Sequence, residues 1–107
     1  MRDNDFDLFV IGGGSAGVRC ARIAASLGAK VALCESRDMG GTCVHRGCVP
    51  KKLMATSASL SGTFTDAQGL GWSVSTAFDW PTMTNNIQRE LTRLRGVYER
   101  LLDNAGV

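Results

Sequence analysis

A six-residue apolar run, FDLFVI (Phe6 to Ile11), stops at the turn GGGSAG (Gly12 to Gly17), and the alanine-rich stretch SAGVRCARIAASL follows directly. The run is too short for a buried helix and reads as a buried parallel strand. From Ser15 to Leu27, the residues Val18, Ala21, Ala24, Ala25 and Leu27 form one apolar face, and Gly28 stands where a helix stop belongs. A second apolar run, KVALCE (Lys30 to Glu35), then completes strand, turn, helix and strand within about thirty residues. That order makes a βαβ unit with a right-handed crossover.

Gly12, Gly14 and Gly17 fit G-x-G-x-x-G, and each glycine has its own task. The first permits the tight turn, the second lets backbone approach a pyrophosphate, and the third lets the helix lie close to the strand. Amide groups at the helix start face the phosphate with the helix dipole behind them. The pattern is weak alone, but here it follows a strand, opens a helix, and is answered at the end of the next strand by Glu35, a carboxylate placed to accept from ribose hydroxyls. The same charge repels a 2′-phosphate, so the site suits FAD or NAD and not NADP. Asp38 competes for the ribose but lies beyond the strand's expected end. The fold class expected is α/β, a Rossmann-like parallel sheet.

The segment GGTCVHRGCVPKK, Gly40 to Lys52, places Cys43 and Cys48 around His45 and Arg46. A disulfide between them closes a very short loop, where the entropic gain of a staple is smallest, so a purely structural bridge is a poor use of the pair. A close thiol pair in a reducing compartment is more often catalytic or metal-binding. C-x₄-C is off the usual zinc spacing and no second ligand pair appears, which argues against a metal. Cys48 precedes the helix signal at Pro50, with Lys51 and Lys52 just beyond, a setting that stabilises a thiolate. His45 invites a role as proton donor, although a residue confined between two thiols is better read as pointing away from them. Cys20 and Cys34, within the helix and the second strand, read as small core hydrophobes.

The 107 residues suffice for one modest core, and 44% hydrophobic with 21% charged content is that of an ordinary globular protein. A net charge of +2, with basic residues scattered among acidic ones, argues against DNA or RNA binding. No stretch approaches the roughly 20 apolar residues of a membrane helix. The acidic start MRDNDFD lacks a secretory or transit pattern, so a cytoplasmic location is expected. Beyond the GGTC loop, a helix is expected from about Cys48 to Ser61, ended by Gly62, with 62–79 as loop. A further helix is capped by Asp79, has Pro81 in its first turn, and repeats Met83, Ile87, Leu91, Leu94, Val97/Tyr98 and Leu101 at helical spacing before ending near Asn104 to Gly106.

DLFVIGGGSAG, KVALCE and GGTCVHRGCVPKK together resemble the N-terminal part of the FAD domain in the FAD-dependent pyridine nucleotide-disulfide oxidoreductase family. The resemblance covers essentially the whole chain. It implies a redox disulfide between Cys43 and Cys48. Ser15 and Ala16 then meet the pyrophosphate with Gly12, Gly14 and Gly17, Glu35 meets the ribose, and Thr42 and Cys43 lie in the flavin region, with Lys51 beside the isoalloxazine. Lys51 after Pro50 resembles members that reduce oxidised glutathione; members acting on thioredoxin or trypanothione share it, while those acting on dihydrolipoamide or mercuric ions usually have serine there. Arg22 matches an arginine that binds a glutathione carboxylate, Tyr98 a tyrosine over the disulfide-substrate site, and Ser15 also borders the substrate. Arg19 stands where an acidic residue serves a cationic substrate, which favours anionic oxidised glutathione.

His45 and Arg46 replace a frequent Asn-Val, and Glu90 occupies a position that is often tyrosine. No second G-x-G-x-x-G and no terminal His-Glu pair occur, although the resemblance implies an NADPH site and an acid supplied by the other subunit of a homodimer. Residues 1–107 are therefore expected to be the N-terminal part of an FAD-binding domain, without NADPH-binding and dimerisation domains, and inactive alone. Two readings from other classes stay open: a stand-alone dinucleotide-binding module, and a thiol redox sensor without flavin.

Overall fold

The computed structural model describes residues 5–107. Strands β1 (Leu8–Ile11) and β2 (Val31–Cys34) pair in parallel, with Leu8 opposite Val31 and Ile11 opposite Cys34, and helix α1 (Ser15–Ser26) makes the crossover between them. Helices α2 (Gly41–Arg46), α3 (Cys48–Gly69) and α4 (Trp80–Asp103) follow. Val18 and Ala21 of α1, Val31 of β2 and Leu102 of α4 form the core cluster, with Leu8, Val10, Leu33 and Tyr98 packed around it. The sequence places the buried face of α4 on Leu101, but Leu102 is the buried residue and Leu101 is half-buried.

The βαβ unit forms as its sequence dictates, with one correction. The α1 layer covers a single face of the sheet, so β1 alternates with the strand period and leaves Phe9 58% and Ile11 86% exposed. The strand is half-buried, not buried. The two cysteines expected in the core follow the same geometry. Cys34 pairs across from Ile11 on the uncovered face, and Cys20, two residues past the buried Val18, points away from the sheet; both are exposed.

Helix stops show which glycines matter. After α1, Gly28 takes φ 93°, its N–H donates to the Ala25 carbonyl and that of Ala29 to the Ala24 carbonyl, a complete glycine C-cap. The same motif closes α3 at Gly71, not at Gly62. Gly62 lies inside the helix, where Thr63 and Thr65 donate back to the carbonyls of Ser59 and Ser61. A single interior glycine costs too little to end 22 helical residues, so only 70–79 remain irregular. The α4 start is as read: the Asp79 side chain accepts from Thr82 N at 2.8 Å, and Pro81 lies in the first turn. The Thr82 side chain first, then its backbone N–H, hold the Asp79 carboxyl below its ordinary value.

A Cβ on Gly17 would overlap the Gly12 carbonyl oxygen, so α1 lies against the turn only because that position is bare. We expect Gly17→Ala to cost about 1–3 kcal/mol through overpacking. Gly62→Ala, in open helical space, should stabilise by about 0.5–1 kcal/mol. Urea midpoints moving in opposite directions would show both.

Candidate functional site at the strand ends

The carboxyl ends of the two parallel strands carry the chemistry. Gly12 leaves β1 with φ 107°, and its N–H still donates to the Cys34 carbonyl at 2.8 Å. Gly14 then caps α1 from an extended conformation without a side-chain bond, and no acidic residue stands in the first turn. The contrast with α4 is informative: there Asp79 supplies the anion, whereas at α1 the amides of Ser15, Ala16 and Gly17 are left for another one. A Cβ built at Gly12 meets no atom within 4 Å, so the turn is open on that side.

Glu35 comes off β2 at the same end. Its Oε2 accepts from Gly13 N at 2.8 Å and its Oε1 from Arg37 N at 2.9 Å. The Gly13 bond first, then that from Arg37, hold its carboxyl below the ordinary 4.5, so it is ionised and keeps lone pairs for hydroxyl donors. Asp38, the competing carboxylate, instead pairs with Arg95 of α4 at 3.1 Å.

The disulfide segment lies directly on this turn. Gly40 N donates to the Gly13 carbonyl at 2.8 Å, and Gly14 and Gly40 form a parallel bridge that prolongs the sheet pairing. Gly41 has φ 65°, and a Cβ there would lie 2.8 Å from Gly14 Cα, so a side chain would push the two segments apart. The GGTC stretch, expected as a loop, opens helix α2 and places Cys43 on it. Six residues are too few to show a helical period in sequence.

Cys43 and Cys48 are joined as a disulfide, their Cα atoms 4.7 Å apart. Gly47 breaks α2 from α3 between them, which lets Cys48 become the first residue of the 22-residue α3. Once reduced, a Cys48 thiolate would lie at the positive end of that helix, with exposed Lys51 and Lys52 in the same turn. Thr42 is exposed beside Cys43, and the His45 ring points to the Met39 carbonyl. Ser15, Arg19 and Arg22 are exposed on α1, while Tyr98 packs on the core cluster. Glu90 holds Arg93 through both carboxylate oxygens, at 2.7 and 2.8 Å, beside a shallow cleft of about 520 Å³ that Leu53 also lines. The sequence reading missed Met39, whose thioether covers Gly13, and the direct seating of Gly40 and Gly41 on the turn. The adjacent glycine pair was the available signal.

The class of structure the fold defines is a βαβ unit whose glycine turn has a disulfide-bearing segment seated against it. Residues 6–107 match the family model described as pyridine nucleotide-disulphide oxidoreductase, and the chain belongs to that family. It is 54% identical over 108 residues to a glutathione reductase of Burkholderia cepacia, covering 100% of this chain and 24% of that protein. A chloroplastic/mitochondrial glutathione reductase of Pisum sativum is 46% identical, covering 99% and 21%. A thioredoxin reductase of Emiliania huxleyi is 43% identical, covering 95% and 23%. The chain thus spans about a quarter of the length of these curated relatives.

Because its carboxyl pKa is lowered on folding, Glu35 contributes stability that is present above pH 4.5 and lost as pH falls through its folded value. Glu35→Gln should flatten that acid limb of a stability-against-pH curve. Parallel curves for the two proteins would contradict the role given to the Gly13 bond.

Proposed function

We propose that residues 1–107 form the N-terminal part of the FAD-binding domain of a glutathione-disulfide reductase, which uses NADPH to convert oxidised glutathione to two molecules of glutathione. The observation that carries this reading is the Cys43–Cys48 disulfide seated on the glycine turn through Gly40 N and Gly13 O. The 54% and 46% identical glutathione reductases support the choice of substrate.

In this reading Gly12, Gly14, Ser15, Ala16 and Gly17 hold the FAD pyrophosphate, Glu35 the ribose, and Thr42, Cys43 and Lys51 border the flavin. FAD, when bound, would supply an electron pair drawn from NADPH, with which Cys43 and Cys48 would pass from disulfide to dithiol. The Cys43 thiolate attacks one sulfur of oxidised glutathione and releases the first glutathione thiolate; Cys48 then attacks Cys43 in the mixed disulfide, releasing the second and restoring the disulfide. Two protons, one for each leaving thiolate, balance the cycle. Arg22, Ser15 and Tyr98 are assigned to the substrate.

A homodimer is part of the proposal. Met54, Leu60, Phe64, Phe78 and Trp80 line an apolar groove of about 940 Å³ along α3 and α4, a surface that supports contact with a second copy. No helix among the described residues is long and apolar enough to cross a membrane, and a cytoplasmic location is proposed with the function.

In the full-length protein, Cys43→Ser and Cys48→Ser should each lower glutathione-reducing turnover by on the order of 10³-fold or more while FAD remains bound. Turnover surviving either change would refute the relay. Arg22→Ala should raise KM for oxidised glutathione roughly tenfold with kcat kept, since a charged hydrogen bond is lost. An unchanged KM removes Arg22 from the substrate site.

A further inference from the structure

His45 stands between the two disulfide cysteines, half-buried, with Nε2 2.9 Å from the Met39 carbonyl oxygen. A carbonyl oxygen only accepts, so Nε2 carries the proton and donates it. The bond spans α2 and closes on the residue just before Gly40 and Gly41. Those two glycines have positive φ and no side chains, so only backbone contacts hold them in place. They are also the residues that touch the nucleotide turn, through Gly40 N to Gly13 O at 2.8 Å and through the close approach of Gly41 to Gly14. Met39 is held from its other side as well, its thioether lying over Gly13, whose own N–H donates to Glu35.

We propose that His45 is a positioning residue of the redox centre: its hydrogen bond to the Met39 carbonyl latches the glycine lead-in, fixing Cys43 relative to the nucleotide turn. The kinetic consequence rests on the reductase reading, whereas the structural one rests on the hydrogen bond alone. Leucine at 45 keeps bulk and removes the donor. Glutamine places an amide N–H at a similar reach from the backbone and restores it.

The test compares His45→Leu and His45→Gln with the wild type in full-length, FAD-loaded protein. His45→Leu should speed hydrogen exchange at the Gly40 amide roughly threefold to tenfold, the effect of one hydrogen bond. It should lower kcat for glutathione disulfide by a similar factor and leave KM within about twofold, because the sulfurs are displaced and the substrate site is not. His45→Gln should match the wild type in both. Wild-type exchange and kcat in His45→Leu, or a His45→Gln variant as impaired as His45→Leu, would overturn the latch. If the wild type itself reduces no glutathione disulfide, the functional reading fails, and Gly40 exchange alone decides: faster in His45→Leu upholds the latch, unchanged refutes it.

Discussion

The structure depends on two backbone segments touching where side chains would keep them apart. Gly13 and Gly14 leave the first strand, Gly40 and Gly41 lead into the second helix, and a hydrogen bond from Gly40 N to Gly13 O joins them. A Cβ on Gly41 would meet the Gly14 backbone, and one on Gly17 would overlap the Gly12 carbonyl, so the contact exists only because these positions are bare. Its functional meaning is proximity. The turn that opens α1 also seats the segment leading to the disulfide, and the reaction proposed for this family member needs both within reach of one cofactor.

Charge is placed to match. The start of α1 has no acidic residue and no side-chain cap, which leaves its dipole and amides to an external anion. The start of α3 carries Cys48 with Lys51 and Lys52, which favours a thiolate there after reduction. Glu35, just past the end of the second strand, is held ionised by the bonds it accepts from Gly13 and Arg37.

Much of this was legible in sequence because glycine and proline act locally. Gly28 in a C-cap, Asp79 with Pro81 at a helix start, and G-x-G-x-x-G between strand and helix each state a backbone geometry without tertiary context. Features set by what packs against an element were not legible. Gly62 resembled a stop but is helical, since the αL position that closes α3 falls at Gly71. Cys20 and Cys34 looked like core residues, yet among the described residues nothing covers one face of the sheet or the outer face of α1. Helix α2 is too short for any periodic signal, and the seating of Gly40 on Gly13 is a contact across 27 residues that no local pattern encodes. The residues proposed for FAD and for glutathione came from family resemblance, with the glycine turn and Glu35 also supported by local chemistry.

The most direct measurement is thiol counting in the full-length, FAD-loaded protein, before and after NADPH is added without oxygen, by alkylation and mass spectrometry of each cysteine. The account predicts that Cys43 and Cys48 become alkylated together only after NADPH, while Cys20 and Cys34, which form no disulfide, give the same alkylation in both samples. A Cys43–Cys48 disulfide that stays closed in the presence of NADPH would contradict the claim that this pair receives electrons at the glycine turn.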